Sequence, residues 1–201
     1  MKVVAMYKNG SILSGILIGL AGWIFCSVSG GLLGSVLFSV GLLSVVYMGS
    51  YLYTGKAGSW PLRKKTIFGD IWGLTLVLLG NIIGCGIIAL VARWSGTLDT
   101  EFLNGIIQNR ESHDLLQVFA RGIGCGFLME IAVWCWREKS SVLGVFFCVP
   151  AFILSGFYHS VADAFYYLAS VEELGWWTLP TYIITVLGNF VGCSVRRVFM
   201  P

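Results

Sequence analysis

Charged residues are scarce in this sequence. Asp, Glu, Lys and Arg make up only 11% of its 201 residues, whereas 57% are hydrophobic and the mean hydropathy is +0.82. Soluble domains carry about a quarter charged residues, so this composition excludes a chain that folds in water. The formal charge of +3 is small, and we expect no nucleic-acid partner. Any function should therefore lie within a lipid bilayer.

Features of an enzyme or a metal site are also missing. The six cysteines form no CxxC pair and have no histidine at metal-ligand spacing. The sequence shows no nucleophile with an arranged base and no phosphate-binding glycine loop. We therefore expect no enzyme, no metal and no cofactor, with a membrane enzyme or assembly factor as a residual alternative. The cysteines are interpreted as small apolar packing residues.

Long apolar runs dominate the chain. A spanning helix needs about 20 mostly apolar residues, and six regions poor in charge fit: Ser11–Val28, Leu33–Tyr53, Ile71–Ala92, Leu115–Trp136, Val142–Ser170 and Trp177–Gly192. They predict an all-α membrane protein with six transmembrane helices. Residues 1–201 are expected to form a single transmembrane domain.

Basic residues are distributed unevenly between the connections. If the connections alternate between the two sides, nine cations share one side: Lys2, Lys8, Arg63, Lys64, Lys65, Arg137, Lys139, Arg196 and Arg197. The other side has Arg110 as its one clear cation, together with Asp99, Glu101, Glu111, Asp114, Glu172 and Glu173. Short basic loops resist translocation. We expect a multi-pass protein of a bacterial inner (plasma) membrane with both termini cytoplasmic.

One hexapeptide pattern occurs twice, as Gly80-Asn81-Ile82-Ile83-Gly84-Cys85 in the third run and Gly188-Asn189-Phe190-Val191-Gly192-Cys193 in the sixth. Each half then contributes three helices, and since three is odd the second half must enter the membrane from the opposite side. This predicts two inverted repeats, about 11–95 and 115–197. Close helix packing is the favoured interpretation of Asn81 and Asn189.

The middle run of each half contains helix breakers. Gly49-Ser50-Tyr51 and Thr54-Gly55-Lys56-Ala57-Gly58 interrupt the second run, and Ser155-Gly156 precedes His159 in the fifth. A broken helix at membrane depth exposes backbone amides, which is tolerated beside protein or a watery cavity. Its half-helix N-termini can also face an anion. We expect helices 2 and 5 to be interrupted beside a pathway, the alternative being a glycine kink in an ordinary bundle.

Three ionisable residues lie deep in apolar runs. Such groups tend to mark ion pathways, and the imidazole of His159 titrates near neutral pH, although a hydrogen-bonded core histidine is the alternative. Asp163, one turn later, can pair with His159 or cap the following half-helix. Glu130 needs a proton or a partner, and a bond to another helix or subunit is favoured over a pore role.

Together these residues resemble the formate/nitrite transporter family. The resemblance is carried by Gly80-Asn81…Gly84, Arg121-Gly122-Ile123 leading to Ile131-Ala132-Val133-Trp134, Ser155-Gly156-Phe157-Tyr158-His159-Ser160-Val161-Ala162-Asp163, and Gly188-Asn189…Gly192. It implies an aquaporin-like fold and a homopentamer with one pore per protomer. The solutes it implies are formate, nitrite, hydrosulfide, lactate and related anions, with or without protons.

The resemblance also implies where the pore residues lie. It puts the central pore histidine at His159, with Phe38 and Phe152 at an outer slit, Leu42 and Tyr53 at an inner slit, and Thr54 on the loop that interrupts the second helix. Arg110 takes the place of the family's anion-attracting basic residue. Tyr158, Asp163 and Gly126 stand where the family has an acidic residue, an Asn and an Asn, which puts substrate identity in question more than fold.

We therefore expect a passive channel or proton-coupled transporter for small monovalent weak-acid anions. A dry slit penalises a charged ion far more than a neutral acid, so protonation could be part of permeation. The alternative is a neutral small-solute pore of aquaporin-like fold, in which His159 and Asp163 only hydrogen-bond. This alternative ranks lower because the sequence has no Asn-Pro-Ala pair.

Overall fold

The structure is a computed structural model. It describes residues 2–58, 67–170 and 174–199, with side chains for 9–58, 71–170 and 174–199. Several charges used to predict the orientation fall outside the described side chains: Lys2, Lys8, Arg63, Lys64, Lys65, Glu172 and Glu173.

The described chain folds into helices, without a strand among these residues. They are α1 (Lys2–Ser27), α2 (Gly31–Tyr47), α3 (Tyr53–Ala57), α4 (Ile67–Ser95), α5 (Thr100–Glu111), α6 (Leu115–Lys139), α7 (Leu143–Leu154), α8 (Ser160–Ala169) and α9 (Thr178–Phe199). The predicted all-α class is confirmed.

Within the described part of the chain, four helices are long and apolar enough to cross a membrane. These spans are Asn9–Ser27, Ile71–Ser95, Leu115–Lys139 and Thr178–Phe199, which correspond to the predicted first, third, fourth and sixth runs. The second and fifth runs instead form pairs of shorter helices. Residues 48–52 separate α2 from α3, and residues 155–159 separate α7 from α8.

The long helices pack in two tight pairs, α1 with α4 and α6 with α9. Glycines of the repeated hexapeptide allow this closeness. A Cβ added at Gly84 would strike the carbonyl oxygen of Ile12 on α1, and one added at Gly192 would strike the carbonyl oxygen of Ile123 on α6. Small residues of this kind let helix backbones approach in a membrane protein, and here they do so at matching places.

Both helix breaks have the same backbone design. Gly49 and Gly156 adopt φ values of +62° and +66°, a conformation that suits glycine because it lacks a Cβ. Just beyond them, Ser50 N–H donates to Val45 O at 3.1 Å and Phe157 N–H donates to Phe152 O at 2.9 Å. Each pattern is a Schellman ending, so both half-helices stop cleanly before an extended segment.

The second half-helices lie in the interior. Helix α8 packs on α1, α4, α5 and α9, and α3 packs on α4, α6 and α9. Most of α8, from Ser160 to Tyr167, is buried. The N-termini of α3 and α8 therefore meet inside the bundle, where the candidate site lies.

Candidate functional site

The two breaks meet at Thr54 and His159. Thr54 is the second residue of α3, and His159 is the N-cap of α8. Thr54 Oγ1 and His159 Nε2 are 3.2 Å apart, and both residues are buried. The pair joins residues that are 105 positions apart in sequence, one from each predicted repeat.

The hydrogen bonds of His159 define its tautomer. Its Nδ1 accepts the backbone N–H of Ala162 at 3.1 Å, so Nδ1 carries no proton. In a neutral ring the proton then lies on Nε2, which donates to Thr54 Oγ1. A second proton on Nδ1 would break this cap and add positive charge at the positive end of α8. The geometry thus describes a neutral imidazole whose one N–H is bonded to Thr54.

Asn81 holds the first half-helix in place. Its Oδ1 accepts the N–H of Tyr53 at 2.8 Å, and its Nδ2 donates to the carbonyl oxygens of Ser11 at 2.7 Å and Tyr51 at 2.9 Å. Tyr53 N–H is an orphan donor at the start of α3. In a membrane interior such groups need a protein partner, and this one amide supplies it.

Asn189 repeats this arrangement in the second half. Its Oδ1 accepts the N–H of Ser160 at 2.8 Å, and its Nδ2 donates to Tyr158 O at 2.8 Å and Gly122 O at 2.9 Å. The two asparagines therefore brace the breaks as well as pack between helices. The sequence analysis interpreted both asparagines as helix-packing residues and did not predict that they bond the backbone at the breaks. The duplicated hexapeptide was the feature of the sequence that marked them.

Two cysteines link the halves to each other. Cys85 Sγ donates to Val161 O on α8 at 3.3 Å, and Cys193 Sγ donates to Thr54 O on α3 at 3.2 Å. Thiols are weak donors, but each one contacts the short helix in the other half of the chain. The sequence interpretation had treated these cysteines only as apolar filling.

Aromatic rings cover one side of His159. Phe38 meets Phe152 edge-on, with ring centroids 6.0 Å apart, and Phe152 stacks on the His159 imidazole at 5.6 Å. Leu42 and Tyr53 are buried as well, and the Tyr53 hydroxyl donates to Val186 O at 3.2 Å. The residues expected at the two slits thus lie in the same buried interior as His159.

A cavity of about 570 Å³ leads to the Phe152–His159 stack. We call it the α5 cavity, because Phe102, Ile106 and Arg110 of α5 line it together with Phe152 and His159. Its lining also includes two carboxylates, Asp99 and Glu101, and the aromatic rings of Phe25, Phe157, Tyr158 and Tyr166. The cavity provides space for a small solute directly beside the histidine.

Asp163 forms its ion pair with Arg110. Arg110 Nε lies 2.7 Å from Asp163 Oδ1, and the guanidinium carbon lies 4.8 Å and 5.1 Å from the ring centroids of Tyr158 and Tyr166. Of the two expected roles for Asp163, pairing with His159 or capping, the structure shows neither for the side chain. The sequence feature that could have indicated this ion pair is Arg110, because it is the one clear cation among the connections on the acidic side.

Glu130 finds its partners at the ends of α6 and α9. Arg196 Nε donates to Glu130 Oε1 at 2.9 Å, and Arg137 Nη2 lies 3.5 Å from Oε2. The carboxylate is fully buried, whereas the two arginine side chains are 19% and 38% exposed, respectively. Glu130 therefore bonds to another helix, through Arg196 of α9.

Among the described residues, no group of three or more His, Cys, Asp or Glu side chains is arranged so that it could hold a metal ion.

Comparison with known proteins points in one direction. A sequence model for the formate/nitrite transporter family matches residues 4–200. The nitrite transporter NirC of Salmonella typhimurium is 31% identical over 137 residues, which cover 63% of this chain and 51% of that protein. The formate channel FocA of Haemophilus influenzae is 31% identical over 149 residues, covering 67% of this chain and 52% of that protein. The chain thus spans about half the length of these curated relatives.

A solved structure described as a pentameric formate channel with formate bound shares the fold. It superposes with a TM-score of 0.86 at 25% sequence identity, covering 99% of this chain and 96% of that one.

Proposed function

Because this chain belongs to the formate/nitrite transporter family, we propose that it is a channel or transporter for small monovalent anions of weak acids, formate and nitrite first among them. The family is one of transporters and channels rather than enzymes. The observation that carries the proposal is the buried Thr54–His159 pair at the meeting point of two broken helices, with the α5 cavity beside it.

The proposed membrane architecture has six crossings in two inverted three-helix repeats, about 11–95 and 115–197, with an aquaporin-like arrangement. The second and fifth crossings are the interrupted ones, made by α2 with α3 and by α7 with α8. The matched Schellman endings and the matched hydrogen bonds of Asn81 and Asn189 support this symmetry. The whole chain, 1–201, then acts as one transmembrane channel domain.

The proposed pathway runs from the α5 cavity past Phe38 and Phe152 to His159 and Thr54, and continues between Leu42 and Tyr53. Stripping the water from a bare anion in an apolar slit is far costlier than passing a neutral acid. The His159 Nε2–H, which bonds Thr54 at rest, is the donor that an arriving oxygen can take over. Transient proton sharing at this point would let the solute cross the slit without net charge.

Arg110 is placed to meet the solute before the slit, in the position that the family resemblance gives to an anion-attracting residue. It lines the α5 cavity, and its charge is paired with Asp163 at 2.7 Å. Its contribution to the proposed pathway is therefore hydrogen bonding at the approach to His159.

For assembly we propose a homopentamer with a pore in each protomer, as in the pentameric formate channel that shares the fold. Large apolar side chains are exposed along α4, including Ile83, Ile87 and Leu90. Lipid or a neighbouring subunit would cover such a surface. Placement in a bacterial inner membrane with both termini cytoplasmic is part of the same proposal.

Solute influx into proteoliposomes tests the function. Formate, nitrite, hydrosulfide, acetate and lactate would be offered from about pH 5 to about pH 8, the range over which an imidazole titrates. We expect at least one of them to enter faster than into protein-free liposomes, and to enter faster as the outside is acidified. Entry of all five at the protein-free rate throughout this range would refute the proposal.

A neutral small-solute pore is the second candidate. The neutral tautomer of His159 and the compensated charge of Arg110 both favour an uncharged solute. Osmotic swelling of proteoliposomes in a small polyol or urea, without movement of any weak acid, would select this function. Acid-dependent influx of formate or nitrite would select the first.

A further inference from the structure

The charged side chains around the α5 cavity do not favour the binding of free anions. We propose that Asp163 is a specificity-determining residue: it cancels the charge of Arg110, so that the cavity offers hydrogen bonds without attracting anions and admits mainly the protonated, neutral weak acid. This inference rests on the transport function proposed above.

The geometry of the pair supports the cancellation. Arg110 Nε and Asp163 Oδ1 are 2.7 Å apart, with the two side chains 12% and 0% exposed. A charge-assisted bond of this length is strong. Because the charges lie so close together, a solute in the cavity experiences a dipole rather than a free cation.

Arg110 nevertheless keeps its hydrogen-bonding capacity. A guanidinium has five N–H donors, of which Nε–H is used by Asp163 and one Nη1–H by Ile106 O at 3.2 Å. The remaining donors have no partner among the described residues, and Arg110 lines the cavity. The ring contacts of Tyr158 and Tyr166 hold the guanidinium in place. An acid can thus be bound there through its oxygens without a net positive charge.

The remaining charges of the lining are negative. Asp99 and Glu101 both line the cavity. The Asp99 carboxylate accepts hydrogen bonds from the backbone N–H of Phe102 and the hydroxyl of Ser29, and these bonds lower its pKa. Asp99 therefore stays ionised under mildly acidic conditions, in which a weak acid is increasingly neutral. A cleft lined by one sign of charge concentrates ions of the opposite sign, which here are protons.

Other titratable groups lie near the pair but do not line the cavity. Arg121 lies 5.5 Å from the Tyr158 ring and donates to Gly156 O without lining the cavity. Glu111 accepts from Thr178, and His113 contacts the Tyr158 hydroxyl and Asn109 O. Tyr167, also on α8, is a buried phenol. The balance therefore depends on Asp163 and on the two carboxylates of the lining.

The deciding variant is Asp163→Asn in the full chain, because an amide oxygen can still accept the Arg110 Nε–H bond while removing the negative charge. Formate influx into proteoliposomes would be measured at about pH 7 in low and high salt, since the Debye length falls from about 30 Å at 0.01 M to about 3 Å at 1 M. We expect influx to rise at least about threefold over wild type in low salt and to lose this gain in high salt.

Two further variants separate charge from structure. Asp163→Asn combined with Arg110→Gln should lose the salt-dependent gain, because the unmasked cation is gone. Glu138→Gln removes an exposed carboxylate at the C-terminal end of α6 and should show no such gain. A low-salt influx for Asp163→Asn that equals or falls below wild type, or a gain that persists in the double variant, would overturn the inference.

Wild-type protein gives an independent check if Asp163→Asn does not fold. Its formate influx should stay constant or increase as salt is raised, because the cavity does not attract anions. A steep decrease with salt would show an unmasked cation and overturn the inference, although the proposed function would stand. If wild type transports no weak acid in any salt, the proposed function itself fails, and this inference fails with it.

Discussion

At the residue scale, the buried carboxylates of this apolar helix bundle are paired with arginines. Glu130 and Asp163 are both fully buried, and each has an arginine partner that retains some access to solvent. A buried carboxylate without a partner is costly, whereas an arginine near a helix end can extend toward water. Removal of the arginine from a pair should therefore destabilise the protein more than removal of the carboxylate.

Arg196→Met should destabilise the protein more than Glu130→Gln does. Losing Arg196 leaves the buried Glu130 carboxylate with only the 3.5 Å contact to Arg137, at a cost of about 3 kcal/mol. Losing the carboxylate leaves arginines that are partly exposed, at a cost of about 1 kcal/mol. Thermal unfolding in detergent of both variants measures the order, and an equal or reversed order would contradict this account of the pair.

Sequence reasoning reached the identity of these residues but not their contacts. His159, Asp163 and Glu130 stood out because each is an ionisable residue in an apolar run. The hydrogen-bond donor to Glu130, Arg196, lies 66 positions away, and the donor to Asp163, Arg110, lies 53 positions away. Such distant pairs depend on how α5 and α9 dock, and no local pattern in one sequence specifies that docking.

Among the helices, the short helices α3 and α8 are each held in position by a side chain from another helix. Helix α3 has five residues and α8 has ten, lengths at which a helix is marginal alone. Asn81 and Asn189 supply the bonds that each break lacks, and Cys85 and Cys193 add a contact to the opposite half.

Asn81→Ala and Asn189→Ala should each destabilise the protein by at least about 2 kcal/mol, because each removes the partner of three backbone groups that are buried or partly buried. Both should also reduce weak-acid influx, since the N-terminus of a half-helix is no longer held. Asn9→Ala, at an exposed position of α1, is the control and should be nearly neutral. If either interior variant unfolds at the wild-type temperature, the bracing role is disproved for that half.

Gly84→Ala and Gly192→Ala should each cost about 1 to 3 kcal/mol, because the added methyl group meets backbone atoms of the neighbouring helix rather than a movable side chain. Gly73→Ala lies in the same helix as Gly84 but faces open space. This control should be neutral or stabilising by up to about 1 kcal/mol. A Gly84 variant as stable as the Gly73 variant would contradict the close helix packing.

The positions of the two helix breaks could be predicted from the sequence. The hydrogen bonds that stabilise the breaks could be predicted only in part. Gly49 and Gly156 marked the positions because glycine relieves the cost of positive φ. The repeated hexapeptide predicts two inverted repeats, and this stays a prediction. The hydrogen bonds of Asn81 and Asn189 were missed because their backbone partners are orphaned only after the helices have broken.

At the scale of the whole molecule, the two halves bring three kinds of feature to one place. Two half-helix N-termini meet at Thr54 and His159, aromatic rings cover the histidine, and a cavity with compensated and negative charges leads to it. None of these features alone specifies transport. Together they fit the proposed pathway, in which a solute that can exchange a proton passes the histidine.

Whether the His159 imidazole takes part in permeation can be measured by weak-acid influx into proteoliposomes that contain a pH-sensitive dye, for wild type and His159→Ala at matched protein content. We expect formate or nitrite to enter the wild-type vesicles together with internal acidification. We expect His159→Ala to slow this entry at least about tenfold, equivalent to about 1.4 kcal/mol in the barrier. Equal rates and equal pH dependence for the two proteins would show that the imidazole has no part in permeation.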